Sequence, residues 1–202
     1  IVQVLNHDYG VPLDGNAMSL DANGGLWIAH NSNGITRLNA PVAMTAFGEA
    51  HGLKTMHDMV RFGDRFYVAT GAGIFRLKER ELDRKAVFNP NAFEPMNPDA
   101  LTAWSLAIFQ GELFAGTEWG VMRLVNDDFS LISLDKPIKN VRRVVPSARY
   151  ADRLYVGTNQ GIVRLEKRGA AWRVAPVAAS IVDPVHSLVE EADGTLWAAT
   201  RG

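Results

Sequence analysis

A short phrase keeps returning in this chain. "GTEWGVMRL" (116–124) is echoed by "ATGAGIFRL", which ends at Leu77, and by "GTNQGIVRL", which ends at Leu165. "AHNSNGITRL" ends at Leu38 with one residue more, and "AATRG" begins a fifth copy. The aromatic residues beside these phrases, Trp27, Tyr67, Phe114, Tyr155 and Trp197, recur at intervals of 40, 47, 41 and 42 residues. A chain built this way places one structural unit in each period. Periods of this length fit helical repeats or propeller blades.

The residue types choose between the two. Runs of Val, Ile, Leu and aromatics are short, and Gly, Asp, Asn and Pro break them, as strands and turns require. A helical repeat needs longer uninterrupted amphipathic segments, and the sequence shows none. Each unit reads as four strands. Strand a is "AMSLD", "MHDMV", "AWSLA", "VRRVV" or "VHSLV"; strand b is "LWIAH", "FYVAT", "LFAGT", "LYVGT" or "LWAAT". Strand c is "GITRL" and its copies, and strand d is "VAMTAF", "KAVFNP", "FSLISL" or "WRVAPV". The expected fold is all-β, a β-propeller of four-stranded antiparallel blades with about four and a half blades in this chain. The blade units are 17–55, 56–102, 103–140, 141–184 and an incomplete 185–202, with 1–16 as strand d of a preceding blade. The last copy stops at the start of a strand c. The ring is therefore expected to continue past Gly202 with Gly-aliphatic-x-Arg, as part of a seven-bladed whole.

Strand b puts Ala29, Ala69, Gly116, Gly157 or Ala199 two residues after its aromatic, hence on the same face of the sheet. Large followed by small lets neighbouring blades nest. The repeated Arg37, Arg76, Arg123 and Arg164 are expected to lay their stems along the blade with their heads in solvent. The net charge of −1 over 202 residues argues against a bulk nucleic-acid binder. The chain has no cysteine, which excludes disulfides and thiolate chemistry. No apolar run is long enough to span a membrane.

The stretch "SLDANGGLWIAHNSNGITRL" resembles the two-component-regulator propeller repeat, and the likeness covers almost the whole chain. The second and fourth units depart from it, with Asp58 and Arg143 at the serine position. The resemblance implies the extracytoplasmic (periplasmic) sensor part of a membrane-anchored bacterial signalling protein. Its output would be a histidine kinase or diguanylate cyclase domain.

No nucleophile elbow, P-loop or zinc-protease motif occurs, so no catalytic residue, metal site or cofactor is assigned. One constellation remains. Aligning the units on Ser19, Asp58, Ser105, Arg143 and Ser187 places Met18, His57, Trp104, Arg142 and His186 at one position near the start of the innermost strand. The b–c turns add Asn31, Glu118, Trp119, Asn159 and Arg201. Seven of these, His57, Trp104, Arg142, His186, Glu118, Trp119 and Asn159, are the candidate ligand-binding residues at the channel mouth. Arginine supplies forked hydrogen bonds and tryptophan a stacking face, which suits an anionic or sugar-like small molecule. The plain alternative is that His57, Trp104 and His186 only pack between blades. A sensor module that binds a small ligand or a partner protein, with pairing between chains open to it, is the favoured expectation. The alternatives are a metal-dependent lyase similar to streptogramin lyases, with His57, Glu118 and His186 as counterparts, and a protein-interaction scaffold.

Overall fold

A computed structural model describes residues 14–31, 34–39, 43–78, 91–96, 101–177 and 181–200. The chain divides into two compact units, Ile1–Ala100 and Leu101–Gly202. Every described element is a strand except one 3-10 turn, Glu49–His51. No helix among the described residues is long and apolar enough to cross a membrane.

The first unit holds two four-stranded antiparallel sheets. One is β1 (Gly15–Leu20), β2 (Leu26–His30), β3 (Gly34–Asn39) and β4 (Ala43–Phe47). The other is β5 (Met56–Phe62), β6 (Arg65–Thr70), β7 (Gly73–Leu77) and β8 (Phe93–Pro95). In the second unit β9 (Ala103–Phe109), β10 (Glu112–Thr117), β11 (Gly120–Val125) and β12 (Asp128–Leu131) form a third sheet. A fourth contains β13 (Val141–Pro146), β14 (Arg153–Thr158), β15 (Gly161–Arg168) and β16 (Ala171–Pro176). β17 (Val185–Glu190) and β18 (Leu196–Thr200) form a two-stranded fifth. Strands pair in chain order within each sheet, so each is a meander, the blade that the repeat predicts.

Strands a, b and c fall where the sequence places them. Strand d is less regular. "FSLISL" shortens to β12, and its Leu134 bridges to Trp172 of β16 instead. A strand needs an unbroken ladder, and this segment leaves its own sheet to lie along the next. "KAVFNP" lies outside the described residues, and β8 pairs with β7 in the second blade. Most of 1–16 also lies outside them, but Gly15 and Asn16 belong to β1 rather than to a strand d.

The returning phrase is a turn that closes itself. The hydroxyls of Thr70, Thr117 and Thr158 donate to the carbonyls of Gly73, Gly120 and Gly161 at 2.9, 2.9 and 3.0 Å. The glycine is required at Gly161, where φ is +106° and a Cβ would stand 1.8 Å from the Ile181 carbonyl oxygen. In the first blade His30 replaces the threonine, fully buried with its Nε2 3.0 Å from Thr36 Oγ1. Burial lowers its pKa, so it sits there as the neutral imidazole.

The large-then-small pattern does what it predicts. Trp27 stacks on Phe66 of the next blade with ring centroids 4.4 Å apart. At Gly157 a Cβ would meet the Val185 side chain of the next blade at 2.8 Å. Gly157→Val should therefore destabilise the second unit by about 1–3 kcal/mol through overpacking, read from urea unfolding. An unchanged midpoint would show that the blades do not meet there.

The repeated arginines depart from expectation in that each meets a carboxylate; Arg37 and Arg76 are mostly buried, while Arg123 and Arg164 stay partly exposed. Arg37 Nε donates to Asp21 Oδ2 at 2.7 Å and Arg76 Nε to Glu94 Oε1 at 2.7 Å. Arg123 and Arg164 reach Glu112 and Glu166 at 3.0 Å each. Glu94 and Glu112 stand on strands that flank strand c, Asp21 on the β1–β2 turn, and Glu166 on strand c itself.

Candidate functional site

The first strand of every blade carries one residue too many at the same place. Gly15 faces His30 and Ala17 faces Ala29, which leaves Asn16 out of register. The same irregularity falls at His57, Trp104, Arg142 and His186, each between the partners of a Thr and of a small residue on strand b. A β-bulge bends its strand and re-aims the extra side chain, and bulges gather next to binding sites. The strand-b residues opposite the bulge repeat, a Thr (His30 in the first blade) and a small residue; the bulged residue varies.

This register corrects the alignment in the first blade. Met18 faces Ile28, two residues beyond the bulge, and Asn16 is the equivalent of His57. The sequence alignment followed the Ser-Leu pair. Register instead sets the residue after the bulge opposite the small residue of strand b, here Ala17 opposite Ala29. The signal was present, since Ala17 precedes Trp27 by the same spacing as Ser187 precedes Trp197. Asn16 also links blades, its amide donating to the Met56 carbonyl at 3.4 Å.

In the second unit three predicted residues come together. The Arg142 guanidinium carbon stands 5.1 Å from the centre of the Trp104 ring. Arg142 Nε donates to Asn159 Oδ1 across the fourth blade. Trp104 and Arg142 are bulge residues of adjacent blades, and Asn159 opens the β14–β15 turn, so the repeat itself delivers all three. All are half-buried. The indole holds one face of the guanidinium, a contact worth about 0.5–1 kcal/mol at exposed sites. Asn159 occupies its Nε edge. The two terminal nitrogens take no hydrogen bond among the described residues, and they form the fork that grips a carboxylate or phosphate.

Glu118 and Trp119 lie on the β10–β11 turn of the third blade. The Glu118 N–H donates to Thr102 O at 3.0 Å, and its carbonyl accepts from Asn140 N–H at 2.8 Å. Asn140 precedes Arg142 by two residues, so this bond ties the turn to the strand entry that delivers Arg142. Trp119 is 44% exposed. His186 stands exposed at its own bulge in the fifth blade. His57 belongs to the first unit, half-buried, with its Nε2 3.9 Å from the place a Gly71 Cβ would take. Among the described residues no three of His, Cys, Asp or Glu group so as to hold a metal ion.

A shallow cleft in the first unit is lined by Asp21, Trp27, Arg61, Asp64, Arg65 and Phe66, among others. Its buried acid is already engaged. Asp21 accepts from the N–H groups of Asn23 and Gly25, from Trp27 Nε1 and from Arg37.

No family model matches the sequence, and no curated protein sequence matches it. Solved structures do. One is the extracellular domain of what is described as a hybrid two-component system protein from B. thetaiotaomicron, at 16% identity and TM-score 0.69. It is matched over 94% of this chain and 26% of its own length. A second is a catalytically inactive virginiamycin B lyase from Staphylococcus aureus with quinupristin, at 14% identity and TM-score 0.66 over 93% of this chain and 63% of that one. A third is an ancestral GH74 enzyme, at 15% identity and TM-score 0.64 over 92% and 27%. The chain spans less than two thirds of each. The extracellular domain of a two-component protein, a lyase and a GH74 enzyme share this architecture, so the likeness fixes the fold and leaves function to the residues. With its repeated four-stranded meanders, this chain has the β-propeller fold.

Proposed function

We propose that the chain is a ligand-binding propeller segment of a bacterial signalling protein's extracytoplasmic sensor. Trp104, Arg142 and Asn159 receive the carboxylate or phosphate group of a small ligand. The observation that carries this reading is the half-buried Arg142, fixed by the indole on one face and by Asn159 at Nε, with its terminal fork open. A guanidinium used only for structure is normally consumed, as Arg37 is by Asp21. The structural likeness to a two-component extracellular domain supports the sensor setting. Kinase or cyclase output and membrane anchoring belong to the same proposal, with the propeller itself acting by binding rather than by turnover.

The test is a titration of tryptophan fluorescence with acetate, glucuronate, inorganic phosphate and neutral glucose. At least one anion should bind saturably and glucose should not. Arg142→Ala should weaken that anion about 10–100-fold, the worth of a hydrogen-bonded charge pair. Trp104→Ala should weaken it less. Equal binding by native protein and Arg142→Ala would contradict the reading. Turnover of a substrate that stops with chelator would move the assignment to the lyase class.

A further inference from the structure

We infer that the ligand of this site is amphoteric, with a carboxylate for Arg142 and a cationic amine for Glu118. The inference rests on reading Trp104, Arg142 and Asn159 as a carboxylate receptor. Glu118 and Asn159 are equivalent residues, each the first of a b–c turn, on adjacent blades. Asn159 is committed to Arg142. Glu118 has the opposite arrangement. Its backbone is fixed on both sides, by Thr102 and Asn140, while its half-buried side chain takes no hydrogen bond or ion pair among the described residues.

Two unconsumed charges of opposite sign therefore stand on neighbouring blades. They do not neutralise each other, because Arg142 is drawn to Asn159 and laid over Trp104. A half-buried carboxylate without a partner is unfavourable, and a simple anion bound beside it would be repelled. A neutral hydroxyl could donate to Glu118 but would leave its charge uncompensated. A cationic amine removes both objections.

The experiment uses glycine, β-alanine and 4-aminobutyrate, which space the two charges differently, and the N-acetyl derivative of each, which keeps only the carboxylate. Binding is followed by calorimetry on the intact chain and on Glu118→Gln and Arg142→Gln, each checked for an unchanged unfolding midpoint. One zwitterion should bind at least about tenfold more tightly than its N-acetyl form. Glu118→Gln should remove that preference without weakening the N-acetyl form. Arg142→Gln should weaken both. If an N-acetyl acid binds as well as its parent and Glu118→Gln changes nothing, the amphoteric inference fails and the carboxylate site stands. If no carboxylate binds the native chain, the site itself fails and the inference with it.

Discussion

Replacing Asp21 with alanine is expected to lower the unfolding free energy by about 3–5 kcal/mol, because it strands a buried guanidinium. The side chains of Asp21 and Arg37 are only 9% and 10% exposed. One carboxylate closes its own turn through Asn23 and Gly25, holds the Trp27 indole N–H at 3.0 Å and pairs with Arg37. Removing it leaves the Trp27 indole N–H and the Arg37 guanidinium without this acceptor and, with the Asn23 and Gly25 bonds gone, loosens the β1–β2 turn. The paired change Asp21→Ala with Arg37→Met should recover much of the loss, since no charge then remains buried. Urea unfolding of the single and double variants checks this. Equal loss in both would show that the turn, not the ion pair, carries the effect.

The same residue gives a pH dependence. Burial pushes the Asp21 carboxyl upward, but hydrogen bonds from Arg37, Trp27, Gly25 and Asn23 outweigh it and hold the pKa below the usual value. A carboxyl with a lowered folded pKa stabilises fully above its unfolded pKa, about 3.9, and loses that contribution as pH falls through the folded value. Stability measured from pH 5 downward should therefore fall less steeply in Asp21→Asn than in the native chain.

Phe114→Ala should cost about 3–5 kcal/mol, while Trp197→Ala at the equivalent position should cost under about 0.5 kcal/mol. Phe114 is fully buried, with ring centroids 6.1 Å from Phe109 and 5.8 Å from Trp172. Trp197 is 62% exposed on the two-stranded fifth sheet. The repeat makes the two residues equivalents; only packing separates them. Denaturant midpoints of the two variants give the comparison directly, and similar losses would mean that Trp197 is covered in solution.

These contrasts show what the sequence could reveal. The blade was legible because its determinants are local: the Thr-x-x-Gly turn, the alternation in strand b, and the small residue that lets Val185 approach Gly157. Strand d was legible in the first and fourth blades, as β4 and β16, but not in the third, where Leu134 is held by Trp172 outside its own hairpin. The contact of Trp104, Arg142 and Asn159 was legible because Trp104 and Arg142 share one repeat position and Asn159 opens the adjoining b–c turn. Asn16 is hidden in the sequence because a bulge adds a residue without changing the apolar pattern, and the Ser19-Leu20 pair imitates the Ser-Leu of other blades two residues out of register. The arginine heads were misjudged for a related reason. Their carboxylate partners lie on a turn, on a neighbouring strand or, for Glu166, on the same strand, at no fixed distance in sequence.

The most direct test of the account watches Arg142 itself. In a chain labelled with nitrogen-15, the Arg142 Nε–H and Trp104 indole N–H signals would be assigned from Arg142→Lys and Trp104→Phe variants. They would then be followed during titration with glucuronate and with 4-aminobutyrate. Both signals should move together and saturate with at least one probe, while those of Arg37 and Arg76, already paired with carboxylates, stay in place. If Arg142 does not respond to either probe, or moves no more than Arg37 does, its fork is not a receptor and the proposed site is wrong.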